Sequence, residues 1–154
     1  MGKEIERKFL VKDKSYRKNT KGILFKQGYL STDLNRIVRV RIQDSKGFIT
    51  IKGKNLGAVR SDFEYEIPLQ DAEEMLDILC EKPIIEKYRY RIEHAGFVWE
   101  VDEFLGENEG LVVAEIELSD ENAFFSRPEW LGQEVTDDPT YFNSNLVKVP
   151  FKRW

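Results

Sequence analysis

Pairs of like charge spaced two residues apart recur along this 154-residue chain and constrain its fold more than any other feature. Successive side chains of a β-strand point to opposite faces, so residues i and i+2 share a face. Seven stretches combine such a row with apolar residues at the alternate positions. The acidic members are Glu4, Glu6, Glu64, Glu66, Glu100, Asp102, Glu115 and Glu117, and the basic members are Lys8, Arg39, Arg41, Lys52, Lys54, Lys87, Arg89 and Arg91.

These rows predict a mainly β fold in which the charged faces of the strands turn toward each other. The simpler interpretation is an antiparallel sheet with one solvated face, or for the first strand a charged edge strand. Such a face usually interleaves neutral polar residues and opposite charges, because like neighbours repel each other. Here the polar faces carry almost nothing but charge, and its sign is segregated by strand. If the apolar faces pack under helices, the sheet closes into a barrel with a polar lumen.

Hydrophobic periodicity places the other elements. A helix is predicted over 71–82, with Cys80 on its core-facing side, because apolar residues there recur at helical spacing. A short helix is predicted after Ser119 or Asp120, and another over 138–147. Strands are predicted at 3–11, 23–31, 36–43, 48–54, 61–69, 84–93, 97–104 and 111–119.

Bulk composition narrows the class of protein. One domain over 1–154 is expected at this length. The net charge of −4 argues against a nucleic-acid or anionic-membrane binder, whose surfaces are normally basic. Cys80 is the one cysteine of the sequence, so no internal disulfide is possible. No apolar run approaches the ~20 residues of a membrane span, and we expect a soluble cytoplasmic protein.

The charges predict the ligand chemistry. Buried charge is tolerated when it is paired or ligand-bound, and a lumen of this kind holds both signs. Arginine and lysine bind phosphate oxygens. Clustered carboxylates hold hard divalent cations such as Mg²⁺ or Mn²⁺. A polyanion together with a divalent metal would satisfy both halves of the lumen.

At this point the sequence resembles a known family. Glu4-Ile5-Glu6-Arg7-Lys8 matches the ExExK signature of the CYTH domain family, the triphosphate tunnel metalloenzymes. The resemblance covers essentially the whole chain, and its ordered set of motifs is far more specific than ExExK alone. The further matching segments begin at Gln27, Arg39, Ile51, Glu64, Glu86, Glu100, Glu115 and Glu134.

The resemblance implies an α+β, mainly β fold: an eight-stranded antiparallel closed tunnel with a few outer or plugging helices. It also implies metal-dependent triphosphate hydrolysis and site residues of three kinds. The implied metal-site carboxylates are Glu4, Glu6, Glu115 and Glu117, with supporting Asp102 and Glu66. The implied phosphate-binding residues are Lys8, Arg39, Arg41, Lys52, Lys87 and Arg89, to which we add Arg91 from the same strand face. The implied catalytic residues are Lys8 with Tyr29, to activate water, and Lys87 near the leaving group.

One departure from the family pattern and a pKa argument qualify these roles. The tail helix after Asp138 resembles a segment that plugs one tunnel end, but Pro139 stands where some relatives have a basic residue. Lys148 is the candidate replacement. The chain's one histidine, His94, falls at a predicted turn, so the base must be another residue. A lysine among other cations can have its pKa lowered toward neutrality.

The main functional hypothesis is an Mg²⁺- or Mn²⁺-dependent inorganic triphosphatase that cleaves tripolyphosphate to pyrophosphate and phosphate. A nucleoside or thiamine triphosphatase and an adenylate cyclase are the alternatives on the same site. Each would need a platform for an organic group, and by alternation Tyr88, Tyr90 and Trp99 point away from the charged face. A third hypothesis is a non-catalytic polyphosphate-binding module. We expect a small-molecule triphosphate as the partner, no nucleic acid or membrane, and a monomer or homodimer.

Overall fold

A ten-stranded antiparallel sheet dominates the computed structural model, which describes residues 4–18, 20–54 and 56–154. Two α-helices accompany it, α1 (Leu69–Ile78) and α2 (Asn143–Lys148). Short 3₁₀ turns lie at Ser15–Arg17, Gly106–Asn108, Pro139–Tyr141 and Phe151–Arg153. The strands are β1 (Glu4–Val11), β2 (Ile23–Ser31), β3 (Arg36–Gln43), β4 (Lys46–Gly53), β5 (Val59–Arg60), β6 (Asp62–Ile67), β7 (Ile85–His94), β8 (Phe97–Phe104), β9 (Val112–Glu117) and β10 (Leu131–Glu134).

The mainly β, antiparallel architecture is confirmed, but the closed eight-stranded tunnel is wrong in two respects. The sheet has ten strands in the order β10-β1-β9-β8-β7-β2-β3-β4-β6, with β5 paired to β1, and it does not close. One edge of β1 pairs with β9, and the other edge is divided. Its start pairs with β5 through Glu4 and Ile5, and its end pairs with β10 through Phe9 and Val11. Closure would require β6, at the far end of the sheet, to pair along the edge of β1 that does not join β9. That edge is already divided between β5 and β10, so the sheet stays open.

Helix α1 covers the outer face of β2, β3 and β4. Glycines in two strands allow this close approach: a Cβ atom on Gly47 would lie 2.7 Å from the Ala72 Cβ, and one on Gly28 would lie 2.8 Å from the Cys80 Cβ. Cys80 is buried, as its predicted core position requires. The helix itself is shorter than the predicted 71–82, and Cys80 follows its end. No helix in the described part of the chain is long and apolar enough to cross a membrane.

An aromatic core lies on the outer face of β1, β8 and β9. Trp99 is fully buried there, with ring centroids 5.6 Å from Phe9, 5.6 Å from Phe125 and 5.7 Å from Trp130. The helix predicted after Asp120 does not form, because this segment is drawn out along the sheet to place Phe125 and Trp130 on that core.

The tail closes a third cluster at one end of the sheet. Asp138 caps the 3₁₀ turn by accepting a hydrogen bond from the Thr140 backbone N–H at 3.0 Å. Helix α2 follows and buries Leu146 and Val147 against residues of β2, β7, β8 and β9. The predicted tail helix therefore exists, but it is split by the extended residue Phe142.

A buried carboxylate ties the first 3₁₀ turn to β8. Glu103 accepts hydrogen bonds from the Tyr16 hydroxyl and, at 2.7 Å, from the Arg17 Nε. Burial opposes ionisation of Glu103, but hydrogen bonds from Arg17 and Tyr16 lower its pKa below the ordinary value of 4.5.

Glu103→Gln should lower the free energy of unfolding at pH 7 by about 1–3 kcal/mol, since the charge-assisted bonds are lost. A group whose pKa is lowered by folding stabilises above its unfolded-state pKa and loses that contribution as pH falls through its folded-state pKa. The difference between wild type and variant should therefore shrink as pH falls below about 4.5. Urea unfolding between pH 7 and 3 measures it, with exposed Glu107→Gln as control. A difference independent of pH would contradict this role.

Candidate functional site

A cavity of about 580 Å³ lies against the inner faces of the strands, and charged side chains line most of it. The sheet curves enough that β1 and β9 on one side and β3, β4 and β6 on the other line the same cavity. Its carboxylates are Glu6, Asp62, Glu64, Glu100, Glu115 and Glu117. Its cations are Lys8, Arg39, Arg41, Lys52, Arg60, Lys87, Arg89 and Arg91.

Strand register explains why the charges meet. Within the β1/β9 ladder Glu6 lies opposite Glu117 and Lys8 opposite Glu115, so carboxylates collect on this wall. Within the β7/β8 ladder Arg89 lies opposite Asp102. The alternation seen in the sequence thus becomes an acidic wall on β1 and β9 and a basic wall on β3, β4 and β7.

The most deeply buried charges form a cluster on β7 and β8. Asp102 contacts the Lys87 Nζ at 2.8 Å and accepts two hydrogen bonds from Arg89, at 2.7 and 2.8 Å. Burial opposes ionisation of Asp102, but the charges of Arg89 and Lys87 hold its pKa below the ordinary range. One carboxylate thus supports two neighbouring cations, and Arg89 also contacts Glu100 at 3.3 Å.

Burial changes the proton affinity of several cavity groups. It lowers the pKa of Lys87 to about 8, aided by the charge of Arg89 and opposed by Asp102. It lowers the pKa of Arg41 to about 10, again with help from a neighbouring arginine. It raises the pKa of the Tyr29 hydroxyl. The sequence argument named neighbouring cations as the cause of a lowered lysine pKa, but at Lys87 burial is the larger cause and the charge of Arg89 is a smaller one.

Aromatic rings hold two of the guanidinium groups. Arg41 and Arg89 lie 5.1 and 4.7 Å from the Phe25 ring centroid, and Arg41 also lies 5.5 Å from Phe48. Cation–π attraction of this kind positions a guanidinium without consuming its N–H donors. Carboxylates occupy some of those donors, since Arg89 donates twice to Asp102 and Arg41 donates to Glu64 at 3.2 Å.

The acidic wall has the donor chemistry for a divalent cation. Glu115 is contacted by the Lys8 Nζ at 4.0 Å and by Arg89 at 3.8 Å. Burial opposes its ionisation, but these neighbours lower its pKa, so it is a carboxylate at neutral pH. Among the described side chains no group of three or more His, Cys, Asp or Glu is arranged as a metal site. The Glu4 side chain lies outside the described part of the chain.

The tail closes one end of the cavity. The Lys8 Nζ donates to the Tyr141 carbonyl oxygen at 3.4 Å and lies 5.4 Å from the Phe142 ring centroid. Asn143 and Ser144, at the start of α2, line the cavity. Lys148, the candidate basic residue of this segment, is exposed and is not among the lining residues.

Most predicted site residues share this cavity. Tyr29 joins them, and its hydroxyl accepts a hydrogen bond from Gln27 at 3.3 Å. Asp102 lies behind Lys87 rather than on the cavity surface, and Glu66 is exposed on the edge strand β6. Their roles as metal ligands stay predictions. Those that line the cavity are Glu6, Lys8, Tyr29, Arg39, Arg41, Lys52, Lys87, Arg89, Arg91, Glu115 and Glu117.

Some lining residues have no role in the sequence-based set. Asp62 lies two residues before Glu64 and so extends the alternating row of Glu64 and Glu66. Its place on the same strand face could therefore have been predicted from the sequence. Arg60 belongs to the two-residue strand β5, which is too short to show a period. Asn143 reaches the cavity because the tail folds back, and no local pattern predicts that.

Aromatic residues considered as an organic platform lie elsewhere. Trp99 is inside the outer aromatic core, and Tyr90 packs against that core with its ring centroid 5.6 Å from Tyr16. Tyr88 is partly exposed. None of these three lines the cavity, whose aromatic lining residues among those described are Tyr29 and Phe97.

Comparison with known proteins gives concordant matches. A family model described as CYTH domain matches residues 2–146. An inorganic triphosphatase of Acetivibrio thermocellus is 58% identical over 154 residues, which is 100% of this chain and 99% of that protein. An inorganic triphosphatase of Nitrosomonas europaea is 36% identical over 148 residues, which is 94% of this chain and 96% of that protein. The crystal structure of an inorganic triphosphatase superposes with a TM-score of 0.67 at 34% identity, covering 93% of this chain and 96% of that chain.

Asp102→Asn should lower the free energy of unfolding by about 3–5 kcal/mol, because it leaves Lys87 and Arg89 buried without their shared carboxylate. Urea unfolding at pH 7 measures the loss. Glu93→Gln, an exposed position on the same hairpin, is the matched control. Equal stability of the two variants would contradict the importance of the buried cluster.

Proposed function

This chain belongs to the CYTH domain family, and on that premise we propose that it is an inorganic triphosphatase, cleaving tripolyphosphate to pyrophosphate and phosphate. The observation that carries the proposal is the pairing of a basic wall and an acidic wall in one cavity. The basic wall suits the phosphates of a linear polyanion, and the acidic wall suits a divalent metal. The names of the two curated relatives support the same reaction.

The basic wall would bind the triphosphate. Arg39, Arg41 and Lys52 project from neighbouring strands β3 and β4, and Lys87 and Arg89 face them from β7. Phosphoryl transfer needs chiefly positioning and charge neutralisation, which preorganised cations provide. Guanidinium groups held against Phe25 lose little conformational freedom when phosphate binds. The entropic cost of ordering these side chains is therefore small.

The acidic wall would hold Mg²⁺ or Mn²⁺. Oxygen ligands suit both ions, and Glu6, Glu115 and Glu117 supply them, with Glu4 as the further ligand predicted from ExExK. When bound, the cation would neutralise negative charge on phosphate oxygens. The carboxylates in turn keep Lys8 and Arg89 oriented toward the cavity.

Lys8, Tyr29 and Lys87 would perform the proton and positioning steps. The raised pKa of Tyr29 keeps its hydroxyl protonated at neutral pH, so it orients water as a hydrogen-bonding group rather than as a base. Lys87, with a pKa of about 8, carries a proton at neutral pH and can give it up. That suits a group that protonates the departing pyrophosphate oxygen. Lys8 lies on the acidic wall, from which it would orient the attacking water.

Purified protein should release phosphate from tripolyphosphate with Mg²⁺ or Mn²⁺ and stop when the metal is chelated. ATP and thiamine triphosphate should yield much less, because none of Trp99, Tyr88 and Tyr90 lines the cavity to form a platform for an organic group. Pyrophosphate should also yield much less, because it is a product of the proposed reaction. Phosphate release and cyclic AMP are measured in parallel. Faster release from ATP or thiamine triphosphate would transfer the assignment to an organic triphosphatase, and cyclic AMP formation would indicate a cyclase. Tight tripolyphosphate binding without turnover would favour a binding module.

Glu6→Gln and Glu117→Gln should each reduce tripolyphosphate hydrolysis by about 100-fold, because an amide oxygen is a weaker ligand for a hard cation. Partial recovery at high metal concentration would separate lost metal affinity from misfolding. Exposed Glu86→Gln on β7 is the matched control and should retain full activity. Unchanged hydrolysis in both cavity variants would refute the metal role of this wall.

A further inference from the structure

A hydrogen-bonded chain links α2 to two residues with proposed catalytic roles. Asn143, the first residue of α2, accepts a hydrogen bond from the Lys87 Nζ at 3.1 Å through its Oδ1. The same oxygen accepts a second bond from the Gln27 Nε2, also at 3.1 Å. Gln27 in turn donates to the Tyr29 hydroxyl at 3.3 Å. One amide oxygen is therefore connected to both Lys87 and Tyr29.

We propose that Asn143 is a positioning residue, which fixes the Lys87 ammonium directly and the Tyr29 hydroxyl through Gln27. The inference deepens the proposed function and rests on it, since it assigns α2 a part in orienting the groups that act on the triphosphate. Asn143 does not itself react. It sets where the Lys87 proton and the Tyr29 hydroxyl point.

Donor counting explains the effect on Lys87. An ammonium group has three N–H donors and no acceptor. Asp102 takes one at 2.8 Å and Asn143 takes a second at 3.1 Å. These two partners fix two of the three N–H directions, so the direction of the third N–H is fixed as well. That third N–H is the donor that Lys87 can offer to a ligand, because Lys87 lines the cavity. Without Asn143 the ammonium could rotate about its contact with Asp102. Its remaining N–H groups would then no longer point in fixed directions.

Gln27, the side chain that links Asn143 to Tyr29, is shielded from solvent. It is fully buried, and Tyr29 is 3% exposed, so neither side chain has bulk water to orient it. Both amide hydrogens of Gln27 are committed, one to Asn143 and one to Tyr29. Its Oε1 is buried without a hydrogen-bond partner among the described residues. A buried acceptor without a partner destabilises the folded state, and such departures from full hydrogen bonding are expected at functional sites.

The packing of α2 makes Asn143 a rigid support. Leu146 is fully buried and Val147 is 4% exposed, in the cluster that also contains Tyr29 and Ile85. Helix α2 cannot shift without disturbing this cluster. The side chain at its first position is therefore held at a constant distance from β2 and β7.

Asn143→Leu removes the acceptor and keeps the number and branching of the side-chain heavy atoms. We expect kcat for phosphate release from tripolyphosphate to fall about 10–100-fold, the usual effect of losing a residue that orients an active group, while KM changes much less. Asn143→Asp keeps an oxygen acceptor for Lys87 and Gln27 but adds a negative charge beside Lys87, so its kcat should lie between those of wild type and Asn143→Leu. Gln27→Met should also lower kcat, and adding it to Asn143→Leu should cost little more, since both break one chain.

Asn145→Leu is the matched control on the same helix. Asn145 donates to the Pro139 carbonyl oxygen at 2.6 Å and does not line the cavity, so this change disturbs α2 but not Lys87. Its kcat should be unchanged. A loss in Asn145→Leu as large as that in Asn143→Leu would overturn the inference. So would an unaltered kcat in folded Asn143→Leu, or a kcat of Asn143→Asp no higher than that of Asn143→Leu. Failure of the wild type to hydrolyse tripolyphosphate would instead refute the proposed function.

Discussion

One buried carboxylate shared by two cations underlies the arrangement of the cavity. Lys87 and Arg89 are neighbours on one face of β7, and without Asp102 opposite them their repulsion and desolvation would disfavour the fold. Eight cations and six carboxylates are among the described residues that line the cavity, so the basic wall retains an excess of positive charge that an anion can satisfy. The acidic wall of β1 and β9 carries the complementary excess. The fold therefore tolerates segregated charge by keeping each wall ready for a ligand of opposite sign.

The outer cores hold this charged interior in place. Helix α1 on one side and the aromatic core around Trp99 on the other bury the apolar faces of the same strands that present the charges inward. Curvature of the sheet, set by these packings, decides which charges meet across the cavity. The tail completes the enclosure, because α2 packs on the ends of β2 and β7 and brings Asn143 to Lys87.

Alternation in the sequence predicted much of this structure because a strand of eight residues repeats its pattern several times. The inward positions of Arg39, Arg41, Lys87 and Arg89 follow directly from it. The four-residue strand β10 has no such repeat, and its pairing with β1, which contributes to the open ten-stranded sheet, depends on where the tail runs. Glu66 obeys the alternation but lies on the edge strand β6, where nothing covers it. Asn143 depends on tertiary packing alone.

A crystal structure with Mn²⁺ and a non-hydrolysable tripolyphosphate analogue would test the central claim, that one wall holds metal and the other holds triphosphate. Anomalous scattering locates the metal independently of the protein atoms. The account predicts a peak coordinated by Glu6, Glu115 or Glu117, with analogue oxygens contacting Arg39, Arg41, Lys52 and Arg89. An analogue bound outside the cavity, or a metal bound away from the carboxylates of β1 and β9, would contradict it.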